Sequence, residues 1–328
     1  MNTLWACAVA LSTCLYVLLD GFDLGVGMLS AFAATDEVRR DMMAAISPVW
    51  DGNETWLVVT GTILFGAFPL VYSTLLSAFY LPIIGMIIAL IFRGVAFEFR
   101  EKSTWSRPFW DRGFSFGSLL ATFSQGVVIG AVIRGVPMTA GHFSGSMFFW
   151  WSGFSVLCGF GLCIGYTLLG ACWLAGKVSV KVDVTAFRCI PWLMLAVSGF
   201  IATAFAISVY THLQVMDRWS TRPYLAVFPL IALIGLACLL HGVHKRVSRL
   251  LFRAASLVFV AAFATLAASF WPYMIPFAVT IDAAAAPPSS LRFLFWGIGV
   301  FVFPLTLVYT GVVYRIFRGP VQGGYRDH

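Results

Sequence analysis

Asp51 and Glu54 stand three residues apart in the stretch Ser47-Pro48-Val49-Trp50-Asp51-Gly52-Asn53-Glu54-Thr55-Trp56, with apolar runs on both sides. Residues three apart share one face of a helix. Asp20 and Asp23 have the same spacing, and Arg93 and Glu98 interrupt a third apolar run. An ionisable group in an apolar span is costly and marks a candidate site. Burial and neighbouring charges can bring a carboxyl group into the range where it takes up and releases protons near neutrality. Asp20, Asp23, Asp51, Glu54 and Glu98 are therefore a candidate proton path, with Arg93 as the structural counter-charge. Structural readings compete with this one. Asp51 and Glu54 have capping-box spacing, Asp20 and Asp23 can pair with Arg93 to let helices pack, and Glu98 can pair with Lys102 at i+4.

The elements that must hold these residues are membrane helices. Of 328 residues, 60% are hydrophobic and 11% charged, and the mean hydropathy is +0.90. A soluble protein carries roughly 25% charged residues. Apolar runs near bilayer-spanning length recur from end to end. The expected fold is an all-α polytopic membrane protein, 1–328 forming a single integral membrane domain. About nine transmembrane helices are expected near 4–33, 50–71, 78–100, 114–134, 148–175, 189–211, 223–243, 250–272 and 292–317. Met1 to Leu19 reads as the first span, since it has no basic leader segment. The break at Tyr72-Ser73-Thr74 predicts a tight hairpin between the second and third spans. Strands are not expected, because the runs do not alternate.

Lys and Arg set the orientation. Sixteen fall in one set of loops and the carboxyl tail, from Arg39 and Arg40 to Lys181, Arg318 and Arg326; four (Arg134, Arg218, Arg222 and Arg292) fall in the other. The amino terminus is then external and the carboxyl terminus cytoplasmic. Asp20, about 24 Å along the first span at 1.5 Å per residue, lies in the cytoplasmic half with the other acids. The same bias accounts for the net charge of +7 without a nucleic-acid partner.

The remaining polar and soft residues read as packing. None of the seven cysteines forms a Cys-x-x-Cys pair, which points to buried thiols. Of the five histidines, only His241 falls within an expected span, so this chain is not expected to ligate haem or a metal. Gln125, Tyr166 and Thr167 are candidates for hydrogen bonds between helices. Gly21, Gly25 and Gly27 invite close helix approach. Trp50, Trp56, Trp105, Trp110, Trp150 and Trp151 fit an interfacial belt, and Trp50 beside Asp51 is also a candidate wall for a quinone ring. A glycine-rich phosphate loop is absent, which argues against an ATP-driven pump. A secondary transporter would predict broken helices near the midplane and an internal repeat; neither is evident. A purely structural membrane subunit is the other alternative.

Four segments carry a family resemblance. Asp20-Gly-Phe-Asp23-Leu-Gly-Val-Gly-Met-Leu29 resembles the first-span signature of subunit II of cytochrome bd-type quinol oxidases. Pro48-Val-Trp50-Asp51-Gly-Asn53-Glu54-Thr-Trp56-Leu57 resembles its second. Phe79-Tyr80 with Phe92-Arg93-Gly-Val-Ala-Phe97-Glu98-Phe-Arg100 is similar to its third, and Phe270-Trp-Pro272-Tyr-Met-Ile-Pro276 to the end of its eighth. Short loops look closer to the cyanide-insensitive ubiquinol oxidase branch. The resemblance implies two four-helix bundles plus one peripheral helix. It also implies a heterodimer with subunit I, which carries b-type and d-type haems (or a third b-type haem) and oxidises quinol while reducing oxygen to water. Subunit II would bind no haem, support haem assembly and line a cytoplasmic proton route. In some relatives it holds a structural quinone, and some complexes have a small single-helix subunit. Asp20, Asp23, Trp50, Asp51, Arg93 and Glu98 match the family pattern. Glu54 stands where many relatives have Gln, Glu98 where some have Asp, and Gly94 where some have Pro.

Overall fold

The computed structural model describes residues 1–178, 180–317 and 319, without the side chains of 180, 181 and 183–185. Lys181's side chain, Arg318, Arg326 and His328 lie outside the described residues. The chain is a helical bundle. The first half contains α1 (Asn2–Ser30), α2 (Asp36–Ala44), α3 (Trp50–Ala67), α4 (Pro69–Ala78), α5 (Tyr80–Lys102) and α6 (Arg107–Arg134). The second contains α7 (Gly153–Leu174), α8 (Val180–Tyr210), α9 (Gln214–Thr221), α10 (Val227–His244) and α11 (Ser248–Phe270). A short α12 (Ile281–Ala284) leads to the last span, in which α13 (Pro288–Leu294) and α14 (Phe303–Ile316) flank a π-helical stretch, Phe295–Val302.

Eight of these helices are long and apolar enough to cross a membrane, and α3 with α4 forms a bent pair that would make nine. The packing resolves into two four-helix bundles and a peripheral helix. α1, α3, α5 and α6 form one bundle, α7, α8, α10 and α11 the other, and α7 docks on both α1 and α6. The last span leans on α3 and has almost no buried surface of its own.

The expected hairpin at Tyr72-Ser73-Thr74 is corrected: these residues lie inside α4. The chain instead turns by 120° at Phe68. Pro69 supplies no N–H to continue the ladder and disfavours helical dihedrals at the residue before it; Phe68 accordingly sits at φ −135°, ψ 60°. Two small hairpins also appear, Met138–Thr139 with His142–Phe143 and Tyr273–Ile275 with Val279–Thr280. Both lie between helices, where they leave the spans purely helical.

Close approach of α1 to α7 is set by Gly25 and Gly170. A Cβ on Gly25 would run into the Tyr166 carbonyl, and one on Gly170 would lie 2.6 Å from the Val26 nitrogen. Backbone contact at this range needs residues without side chains.

Candidate functional site

α1, α3 and α5 bring four of the expected residues together with one amide. Asp20 sits eighteen residues into α1 and meets Arg93 of α5: Arg93 Nη1 donates to Asp20 Oδ1 at 2.9 Å, with side-chain exposures of 1% and 0%. Asp23, one turn further along α1, does not take Arg93 as its hydrogen-bond partner. Asn53 Nδ2 donates to Asp23 Oδ2 at 2.7 Å and to the Leu19 carbonyl at 3.3 Å. Tyr314 of α14 then donates to Asn53 Oδ1 at 3.0 Å. The amide thus ties α1, α3 and the last span at one point.

The charges are incompletely satisfied. Asp20 Oδ2, Asp23 Oδ1 and Arg93 Nε and Nη2 are buried without a hydrogen-bond partner among the described residues. Such groups are expensive unless another donor or acceptor reaches them. Glu54, half-buried on α3, lies within coulombic range of Asp20, Arg93 and Asp51. It therefore stands between the buried pair and the surface.

Asp51 and Glu98 are both exposed on this chain. Asp51 lies in the first turn of α3, whose N-cap is Val49 with no side-chain capping bond. The capping-box reading of Asp51 and Glu54 is thus corrected; the turn from Ile46 to Val49 already runs into the helix through backbone bonds. Glu98 points away from Arg93 because five helical residues rotate it off that face, and among the described residues it makes no ion pair with Lys102.

Trp50 packs between α3 and α5, its ring 5.3 Å from that of Phe97 at a tilt of 38° and against Gly94. Trp56 is corrected from the interfacial belt to the core. It is fully buried, and its indole N–H reaches Thr310 Oγ1 at 3.2 Å. A polar chain continues on the same side of α1 as Asp20: Gln125 Nε2 donates to Tyr16 Oη at 2.7 Å, and Tyr166 Oη donates to Gln125 Oε1 at 3.2 Å.

A second charged cluster was not singled out from the sequence. Arg100 is 2% exposed, and it bonds Asp111 of α6 through Nε and Asp36 of α2 through Nη2. Arg39 also bonds Asp111, at 3.3 Å, and Arg107 lies 3.6 Å from Asp36. Partial burial opposes ionisation of Asp36, but the hydrogen bond from Arg40 and the Arg100 and Arg107 charges outweigh it and hold its carboxyl below the usual range. By charge counting Arg100 belongs with the loop cations, and Asp111 carries no local pattern that marks it. The distinguishing signal for Arg100 is a phased one: it falls seven residues after Arg93, on the same helix face.

The four described histidines, His142, His212, His241 and His244, are all exposed. Among the described residues no cluster of three His, Cys, Asp or Glu is arranged to hold a metal.

Comparison with known proteins gives the family. The chain is 27% identical to cytochrome bd-I ubiquinol oxidase subunit 2 of Escherichia coli K12, over 96% of this chain and 93% of that one. It is 30% identical to the probable cytochrome oxidase subunit 2 of Haemophilus influenzae, over 78% and 77%. A chain in the solved structure of bd oxidase from Geobacillus thermodenitrificans shares the fold, with a TM-score of 0.80 at 17% identity over 96% of this chain and 98% of that one. The model of the cytochrome bd terminal oxidase subunit II family matches residues 1–317; the chain belongs to that family.

Proposed function

We infer that this chain is the haem-free subunit II of a quinol oxidase of the bacterial inner membrane, in a heterodimer with a haem-bearing subunit I. In that complex quinol would be oxidised and oxygen reduced to water on subunit I. This chain would support haem assembly there and carry protons toward it from the cytoplasm. The observation that carries the proton role is the graded chain of acids: exposed Asp51, half-buried Glu54, then buried Asp20 and Asp23. The unpartnered oxygens on the two buried aspartates leave capacity for a proton or a bridging water. Arg93 holds Asp20 in place, and Asn53 orients Asp23.

In this reading Asp51 collects protons at the cytoplasmic end of α3 and Glu54 passes them inward. Glu98, at the same end of α5, adds surface charge at the entry. Trp50, tilted against Phe97, offers one flat face for a structural quinone. Protons consumed from inside while quinol releases its own outside would make turnover electrogenic.

The test is quinol-driven oxygen uptake by the assembled complex carrying Asp51→Asn or Glu54→Gln. Turnover is expected to fall about tenfold, near 1.4 kcal/mol of barrier, with the haem spectrum intact. Unchanged turnover per haem, with effects only on assembly, would favour the purely structural reading. The transporter reading is weakened by the place of the broken helix: Phe68 lies about 27 Å from Trp50 along α3, far from the acids.

A further inference from the structure

A cleft of about 1030 Å³ opens beside the Arg100 cluster, between α6 and α8, with α1 and α7 at its floor. It is independent of the acid chain. Its lower walls are apolar and belong to membrane spans: Phe116 and Leu119 on α6, Ile164 on α7 and Leu193 on α8. Phe116 and Leu119 are 60% and 42% exposed, so the cleft faces outward along the bilayer.

Its rim is cationic. Arg39, Arg107 and Arg112 line the upper end together with Asp36 and Asp111. Buried Arg100 bonds both of those aspartates from behind. Arg39 and Arg107 are partly committed to them, whereas exposed Arg112 makes no ion pair among the described residues. The positive end of α6, which begins at Arg107, adds to the same potential.

We propose that this cleft is a binding site for one anionic phospholipid, its phosphate at Arg107 and Arg112 and an acyl chain along Leu119 and Leu193. Charge complementarity selects the headgroup, since basic pockets at the ends of membrane helices bind anionic lipids. The apolar walls select a lipid over a free phosphate, which would leave them uncovered.

The experiment uses the complete oxidase complex containing this chain, equilibrated in nanodiscs of phosphatidylethanolamine with a minority of phosphatidylglycerol, and reads retained lipid by native mass spectrometry. Wild-type complex is expected to retain phosphatidylglycerol several-fold above its share of the bilayer. Arg112→Gln, and Arg107→Gln with Arg112→Gln, should lose that enrichment, and Leu119→Trp should exclude the lipid by filling the groove. An unchanged haem spectrum certifies folding, and Arg112 has no ion pair whose loss would unfold the chain. Equal phosphatidylglycerol retention in wild type and Arg112→Gln would overturn the proposal. So would retention that merely mirrors bilayer composition, or cross-linking of Leu119→Cys to the partner subunit, which would show protein covering the cleft.

Discussion

Asp20 and Arg93 have exposures of 0% and 1%, so each is the other's principal compensation for leaving water. Removing one partner of such a pair typically costs about 3–5 kcal/mol, because a lone charge stays buried. Arg93→Met should therefore abolish recovery of haem-loaded complex. Asp20→Asn combined with Arg93→Gln should restore much of it, since both charges of the pair are then gone and Asp23 keeps its bond from Asn53. Spectroscopic haem yield per unit membrane protein checks both. The Asp20 pairing was legible from residue types alone, because an intramembrane acid and base at matching depth have few other options. The partner of Asp23 was not legible. Asn53 lies 30 residues away and is fixed in turn by Tyr314, 261 residues further on. Neither link leaves a mark on local pattern. The exposure of Asp51 and Glu98 was equally hidden, because helical phase relative to neighbours depends on which faces pack.

Helix packing decides what the elements tolerate. α1 and α7 meet at Gly25 and Gly170 with backbone against backbone, and inserting even a methyl group into such a contact costs roughly 1–3 kcal/mol. Gly25→Ala should lower the yield of assembled complex, whereas Gly61→Ala, with nothing near its Cβ, should not. α2, α5 and α6 are joined instead by Arg100, Asp36 and Asp111. Asp36 has a lowered pKa, so it contributes stability above the unfolded value, near 3.9, and loses it as pH falls through the folded value. Asp36→Asn should then lower the melting midpoint by about 2 °C at pH 7, a modest figure for a partly exposed group. The gap to wild type should close below about pH 4, as read by intrinsic tryptophan fluorescence. Most helix ends fall within about five residues of the hydropathy windows, but α6 and α8 start seven and nine residues earlier than expected, at Arg107 and Val180. The 120° turn was misplaced because Tyr72-Ser73-Thr74 is more polar than Phe68-Pro69. Backbone chemistry at proline outweighed polarity.

For the whole molecule, the two bundles and the nearly uncovered last span describe a chain built to be partnered within a membrane. In the proposed orientation, which rests on charge bias, the end that carries Asp51, Glu98 and the Arg100 cluster is the cytoplasmic one. A reporter fused after Phe317 should be active only in its cytoplasmic form, and the opposite result would reverse the direction of the proposed path. The most direct measurement of that path is proton uptake from the cytoplasmic side during a single oxygen-driven turnover of the reduced complex. With Glu54→Gln, the account predicts uptake slowed about tenfold while the haem content and the electron input from quinol are unchanged. Uptake at the wild-type rate in a fully haem-loaded Glu54→Gln complex would contradict it.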